Sequence, residues 1–193
     1  RIVFNGNGYS ESWVTEAKRR GLPNLPSMVD AIPALTSERA VRLFGDFGVF
    51  TPKELTSRME IKYETYSKDI NIEARTMLEM FTKLLQPAMF KGARQLSDCV
   101  NSLKQAGIDT SVQLEILEEL GDLIREASSA RKELISAMKN AENCIGGRAQ
   151  AASYRDNVVP AMEKLRKPVD RAEMLIDKEL WPVPTYADLM FEI

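Results

Sequence analysis

The sequence predicts a mainly α fold: an elongated antiparallel bundle of about three long helices, with a short irregular N-terminal segment and an extended C-terminal strap. Three observations predict it. Apolar residues Met59, Tyr63, Tyr66, Ile70, Ala74, Met77, Phe81, Leu84 and Ala88 recur three or four apart, which is one helical stripe. Two further stripes of the same kind follow, divided by Gly107 and by Gly146-Gly147. The one strand-like run is Ile2-Val3-Phe4, and a lone strand leaves its backbone groups unpaired, so its sheet partner is expected outside this chain.

The elements follow in order. After Ile2-Val3-Phe4 comes a glycine turn, Asn5-Gly6-Asn7-Gly8. Ser10 is placed to cap a helix through Arg20, stopped by Gly21. Pro23, Pro26 and Pro33 then punctuate an irregular connector. Thr36 and Ser37 offer a cap for a helix through Phe44, ended by Gly45 and Gly48. At Thr51 the character changes. Thr51-Pro52-Lys53-Glu54 combines a cap, a proline at the first helical position and a glutamate that closes a capping box. The long stripe follows. Pro87 cannot donate to the carbonyl of Lys83, so a kink is expected there. The stripe resumes at Met89, Ala93, Leu96, Val100 and Leu103.

Thr110-Ser111-Val112-Gln113 reads as a second capping box. Its helix carries Leu117, Leu120, Ile124, Ala127, Leu134, Met138 and Ala141. The third helix runs from about Arg148 to Leu180, with Ala152, Val159, Met162, Leu165, Val169, Ala172 and Ile176 as its stripe. Pro160 and Pro168 should bend it or delay its start. The closing "WPVPTYADLMFEI" holds Pro182 and Pro184, which oppose a helix, and large apolar residues that want cover. It is expected to pack as a strap, in its own chain or on a neighbouring subunit. A helix from Pro52 to Gln86 would be about 50 Å long. A compact globule of this size has a radius of gyration of only about 16 Å, which is why an elongated bundle is expected. Residues 1–50 are thus expected to form a junction segment, and 51–193 the bundle with its strap.

Composition closes several function classes. The chain has 193 residues, 44% of them hydrophobic, enough to form a buried core. Its net charge of −2 gives no electrostatic reason to expect nucleic acid or an anionic membrane as partner. No apolar run approaches the roughly 18 residues that span a bilayer, and no charged-then-apolar leader is present. There is no histidine. Ser-His and Cys-His catalysis, histidine-ligated metals and the Glu-x-x-His di-iron pattern are therefore closed to this chain alone. Cys99 and Cys144 do not make a disulfide framework and read as reduced core thiols of a cytoplasmic protein. The start at Arg1 rather than methionine suggests a fragment.

Three stretches invite a functional reading. Gly6-x-Gly8 after a strand and before a helix has the layout of a phosphate cradle. It lacks the third glycine, since position 11 is Glu, and it lacks the lysine of a P-loop. It reads as a turn that redirects the chain. Glu115, Glu118, Glu119 and Asp122 share a helix face and could hold Mg²⁺ or Ca²⁺, but such runs usually mark a solvated or salt-bridged surface. The strap is the third.

Four quoted segments carry a resemblance. "RIVFNGNGYSESWVTEAKRRGLPNL" resembles the segment that follows the catalytic domain in type III glutamine synthetases. "INIEARTML", "VVPAMEKLR" and "WPVPTYADLMF" are similar to later motifs of that family, in the same order. The resemblance covers essentially the whole chain. It implies a mainly structural C-terminal region of an ATP-dependent glutamate–ammonia ligase, inactive on its own and working with an upstream catalytic domain in a homo-oligomer. It further implies ATP and Mg²⁺ or Mn²⁺ for the parent enzyme, bound by upstream residues. No catalytic, cofactor-binding or metal-binding residue of this chain is implied. Without the resemblance, periodicity and composition fit a stand-alone helical adaptor or scaffold module equally well.

Overall fold

The computed structural model describes residues 5–184 and 186–191. It is mainly helical, and no strand occurs among the described residues. The expected strand Ile2-Val3-Phe4 lies outside them. The chain divides into two compact units, Arg1–Tyr66 and Ser67–Ile193.

The first unit opens on a hydrogen-bonded turn. The side-chain oxygen of Asn7 accepts the Tyr9 N–H at 3.0 Å, and its carbonyl accepts the Ser10 hydroxyl at 2.7 Å. Helix α1 (Glu11–Arg19) follows. Ser10 takes the N-cap backbone position, but its hydroxyl is engaged with Asn7 and makes no cap bond. Gly21, at φ 72°, ends α1 by letting the Leu22 N–H return to the Ala17 carbonyl at 2.9 Å. The proline-marked connector is less irregular than expected. It holds α2 (Met28–Ala31), capped by Ser27, and a 3₁₀ turn over Ile32–Thr36. Ser37 then caps α3 (Glu38–Asp46), accepting the Ala40 N–H at 3.3 Å.

The next cap is as the sequence predicts. Thr51 Oγ1 accepts the Glu54 N–H at 3.3 Å, and Glu54 Oε2 accepts the Thr51 N–H at 2.7 Å. Helix α4 (Pro52–Met80) starts there, and its first half belongs to the first unit. Val29, Ile32, Leu55 and Tyr63 are buried in that unit. Phe44 and Phe50 rings meet at 5.5 Å, and the Arg58 guanidinium lies 4.3 Å from the Phe50 ring centre.

In the second unit, α4 passes into a π turn over Phe81–Leu85 and then into α5 (Gln86–Gln105). Helix α6 (Ser111–Glu142) returns, and α7 (Gly147–Ser153), a second π turn (Tyr154–Val158) and α8 (Val159–Glu173) make the third pass. Cross-helix bonds set the directions. Arg75 meets Glu142, Arg131 meets Thr82 and Gln86 meets Ser128, so α6 runs against α4 and α5. Lys164 meets Glu133 and Arg171 meets Glu119, so α8 runs against α6. The middle helix buries Leu120, Leu123, Ala127, Ala130, Leu134, Met138 and Ala141, spaced three or four apart. Burial of each large apolar side chain stabilises by about 1.5–3 kcal/mol, and this, more than propensity, holds such long helices.

The two π turns share a cause. Gln86 donates to the Phe81 carbonyl and Val159 to the Tyr154 carbonyl, each one residue longer than an α bond. Pro87 and Pro160 come immediately after. A proline has no N–H, and its ring collides with the carbonyl four residues back. Widening the turn just before it moves that carbonyl aside while the helix continues. The first widened turn adds one residue and shifts the stripe locally. Leu84, expected inside, is 41% exposed, and Leu85 is half-buried instead. Ala151 and Val158 are buried where Ala152 and Val159 were expected. Pro168 is accommodated inside α8 and is itself buried.

Two more expectations are corrected. Thr110 stands at the N-cap of α6 but its side chain makes no cap bond. One residue earlier, Asp109 accepts the Ser111 hydroxyl at 2.6 Å, and hydrogen bonds from Ser111 and Thr110 lower its pKa. The C-terminal strap is extended only around 181–184. A 3₁₀ turn (Lys178–Leu180) precedes it, and a short helix α9 (Tyr186–Phe191) follows. Pro182 and Pro184 lie before α9, where they leave its hydrogen-bond ladder intact.

Candidate functional site

The glycine turn lies on the surface. Asn5 to Tyr9 are exposed, and Tyr9 is wholly so. Asn7 takes the Tyr9 N–H on its side chain and the Ser10 N–H and hydroxyl on its carbonyl. The acidic face of α6 is salt-bridged. Glu119 accepts from Arg171 at 2.6 Å, and Asp122 pairs with Arg125. Among the described residues no group of three or more Cys, Asp or Glu converges to hold a metal ion. Both cysteines are free thiols. Cys99 is exposed on α5, which corrects its assignment to the core, and Cys144 is half-buried beside the Asn140 carbonyl at 3.5 Å.

At the C-terminal end, Lys178 pairs with Asp188 and pins α9 to the 3₁₀ turn before it. Trp181 is 8% exposed, and its indole N–H finds no acceptor among the described residues. Leu189, Met190 and Phe191 stay exposed.

One apolar concavity was not legible in the sequence. It is a groove of about 510 Å³ between the C-terminal half of α4, its π turn and α8. Ile72, Met77, Met80 and Leu85 form one wall, and Met162 and Val169 the other. Phe81, 1% exposed, closes the floor. The signal that could have found it is Ile72 and Met80, apolar residues that fall off the helical stripe and are 62% and 39% exposed. Charge sits on the rim. Arg166 pairs with Asp170 at 3.0 Å, while Glu73 has no ion-pair partner among the described residues. The groove offers apolar surface bounded by charge, and its lining contains no cysteine, no histidine and no ligand set.

The remaining electrostatics are structural. Burial pushes the Tyr154 phenol up, with Glu142 adding to the shift and Arg75 opposing it. The Arg75–Glu142 pair at 2.8 Å ties the two long helices beside it. No helix among the described residues is long and apolar enough to cross a membrane.

Known proteins supply the context for these observations. The chain is 37% identical over its whole length to a glutamine synthetase of Butyrivibrio fibrisolvens, of which it covers 28%. It is 32% identical to the type-3 glutamine synthetase of Dictyostelium discoideum, over 99% of this chain and 27% of that protein. A glutamine synthetase of Bacteroides fragilis is 27% identical over 98% of the chain, which covers 27% of it. The chain therefore spans a little over a quarter of the length of the curated relatives it matches. The family model for the glutamine synthetase C-terminal domain matches residues 1–104, through most of α5. A mainly helical chain without a convergent metal-binding cluster among its described residues, matching that family over more than half its length, belongs to the glutamine synthetase C-terminal domain family.

Proposed function

We propose that this chain is the structural C-terminal region of an ATP-dependent glutamate–ammonia ligase of the type III kind. In this reading residues 1–50 are the junction to an upstream catalytic domain and 51–193 the bundle. ATP and Mg²⁺ or Mn²⁺ are held upstream, and the helical region packs on the catalytic body and helps assemble a homo-oligomer in the cytoplasm. The observation that carries the reading is the family match over residues 1–104 within relatives roughly 3.6 times as long. Exposed Tyr9, Leu43, Phe47 and Val49 in the first unit support a docking role, since large uncovered apolar residues cluster where partners bind.

The test compares two proteins: the complete polypeptide that contains this sequence, and these 193 residues alone. Glutamine formation from glutamate, ammonia and ATP with Mg²⁺ is expected only from the first. Robust activity of the second would overturn the reading. The reading frame upstream of Arg1 offers a quicker check: a glutamine synthetase core supports the proposal, and a start codon immediately before Arg1 favours a stand-alone adaptor.

A further inference from the structure

The turn that opens the first unit carries a reactive pairing. Asn5 is followed by Gly6 and Asn7 by Gly8, whereas every other asparagine precedes a residue with a side chain of its own. The pairing matters because the backbone nitrogen of the next residue can attack an asparagine side chain. A Cβ on that residue shields the nitrogen and restricts the backbone angles that bring it to Cγ. Glycine removes both obstacles. Asn5, Gly6, Asn7 and Gly8 are all exposed, and a Cβ built at Gly8 would meet nothing within 4 Å. Water and hydroxide therefore reach both pairs.

The two asparagines are held differently. The side-chain oxygen of Asn7 accepts the Tyr9 N–H at 3.0 Å, and its carbonyl accepts the Ser10 N–H at 3.2 Å and the Ser10 hydroxyl at 2.7 Å. These bonds restrain both the side chain and the ψ angle that must turn before the Gly8 nitrogen can reach Asn7 Cγ. Asn5 lies in irregular backbone ahead of the turn, and its side chain has no hydrogen-bond partner among the described residues. The same chemistry is thus restrained at one position and unrestrained at the other.

We propose that Asn5 is a deamidation site, converted to aspartate and isoaspartate through a cyclic imide, while the adjoining turn protects Asn7. The Gly6 nitrogen forms a bond to Asn5 Cγ, the bond from Cγ to the side-chain nitrogen breaks, and ammonia leaves with the Gly6 amide proton. Water then opens the imide. Opening at the side-chain carbonyl gives aspartate. Opening at the backbone carbonyl gives isoaspartate, in which the chain runs through Cβ and gains a backbone atom. Water is the only co-reactant, and hydroxide speeds ring closure by drawing off the amide proton. Either product places a carboxylate on a turn that is neutral in the unmodified chain. The site stands on its own residues and does not depend on the ligase reading above.

The test incubates the complete polypeptide that contains this sequence in warm, mildly alkaline buffer. Peptide mapping by mass spectrometry, with electron-transfer fragmentation to tell isoaspartate from aspartate, follows each position over time. Both acids are expected at position 5, accumulating about tenfold faster than at position 7, the factor that one or two net hydrogen bonds supply. In urea, where the turn is lost, the two rates should converge. Asn5→Gln should abolish the product at position 5, because the larger ring it needs closes slowly. Ser10→Ala should speed position 7 by releasing one bond to the Asn7 carbonyl. The proposal is overturned by the absence of isoaspartate at position 5, by equal rates at the two positions in the folded protein, by a rate ratio that urea leaves unchanged, or by a Ser10→Ala variant that leaves position 7 as slow as before.

Discussion

Gly92→Ala is the sharpest test of how the second unit is packed. Gly92 lies inside α5, and a Cβ built there would sit 3.1 Å from Ile176 Cγ1 and 3.4 Å from its Cγ2. Two effects oppose. Removing a glycine from a helix interior gains about 1 kcal/mol in propensity. Forcing a methyl into a filled site costs about 1–3 kcal/mol, because Ile176 is β-branched and only 8% exposed, so it yields slowly. The net is a loss of about 0–2 kcal/mol. For a chain of this size each kcal/mol moves Tm by about 2–4 °C. The discriminating step is to repeat the substitution in an Ile176→Ala background. The contact atoms are then gone, and Gly92→Ala should raise Tm by about 2–4 °C over I176A alone. Thermal unfolding followed by circular dichroism reads all four proteins. If Gly92→Ala costs as much in the I176A background as it does beside the native Ile176, the steric account of this glycine is wrong.

Other consequences are as measurable. Thr51→Ala removes the acceptor of the Glu54 N–H and should cost about 1 kcal/mol, seen as faster amide exchange in the first turn of α4. Phe81→Ala empties the floor of the groove and should cost about 3–5 kcal/mol in urea unfolding. Trp181→Phe removes an indole N–H without an acceptor, so it should fall within about 1 kcal/mol of the native chain, whereas Trp181→Ala should lose about 3–5 kcal/mol. Hydrogen bonds from Arg19 and then Arg20 hold the Glu16 carboxyl down to about 2, from an ordinary 4.5. A carboxyl held low stabilises fully above pH 4.5 and loses that contribution as the pH falls toward 2. Glu16→Gln should therefore unfold more readily than the native chain at pH 7 and match it at pH 2.

Local chemistry was the most legible part of the sequence. The Thr51–Glu54 box needs only residues three apart, and it forms as written. Gly21, Gly48 and Gly107 end helices with positive φ because no side chain resists it. The failed caps have one kind of cause, a competitor close by in the chain. Ser10 lost its cap to the Asn7 carbonyl, and beside the uncapped Thr110 position Asp109 takes the Ser111 hydroxyl. The stripe slipped at Leu84 because a straight 3.6-residue count takes no account of a widened turn before a proline. The groove was hidden for a different reason. Its walls come from α4 and α8, roughly ninety residues apart in sequence, and each wall alone looks like a helix with a few stray apolar residues. The absence of histidine, by contrast, closed whole classes of chemistry at once.

The π turns at Phe81–Leu85 and Tyr154–Val158 bear on chain length. Elsewhere in an α-helix, losing one residue rotates everything beyond it by about 100° and turns the buried face outward. At a π turn the surplus residue is already stored, so its removal lets the ladder close to α spacing while both flanks keep their partners. Deleting Thr82 together with Pro87→Ala, or Asp156 together with Pro160→Ala, should thus leave a folded bundle where a deletion at Leu134 would not. These two turns are the places where the helices can change length by a single codon without renegotiating the rest of the core.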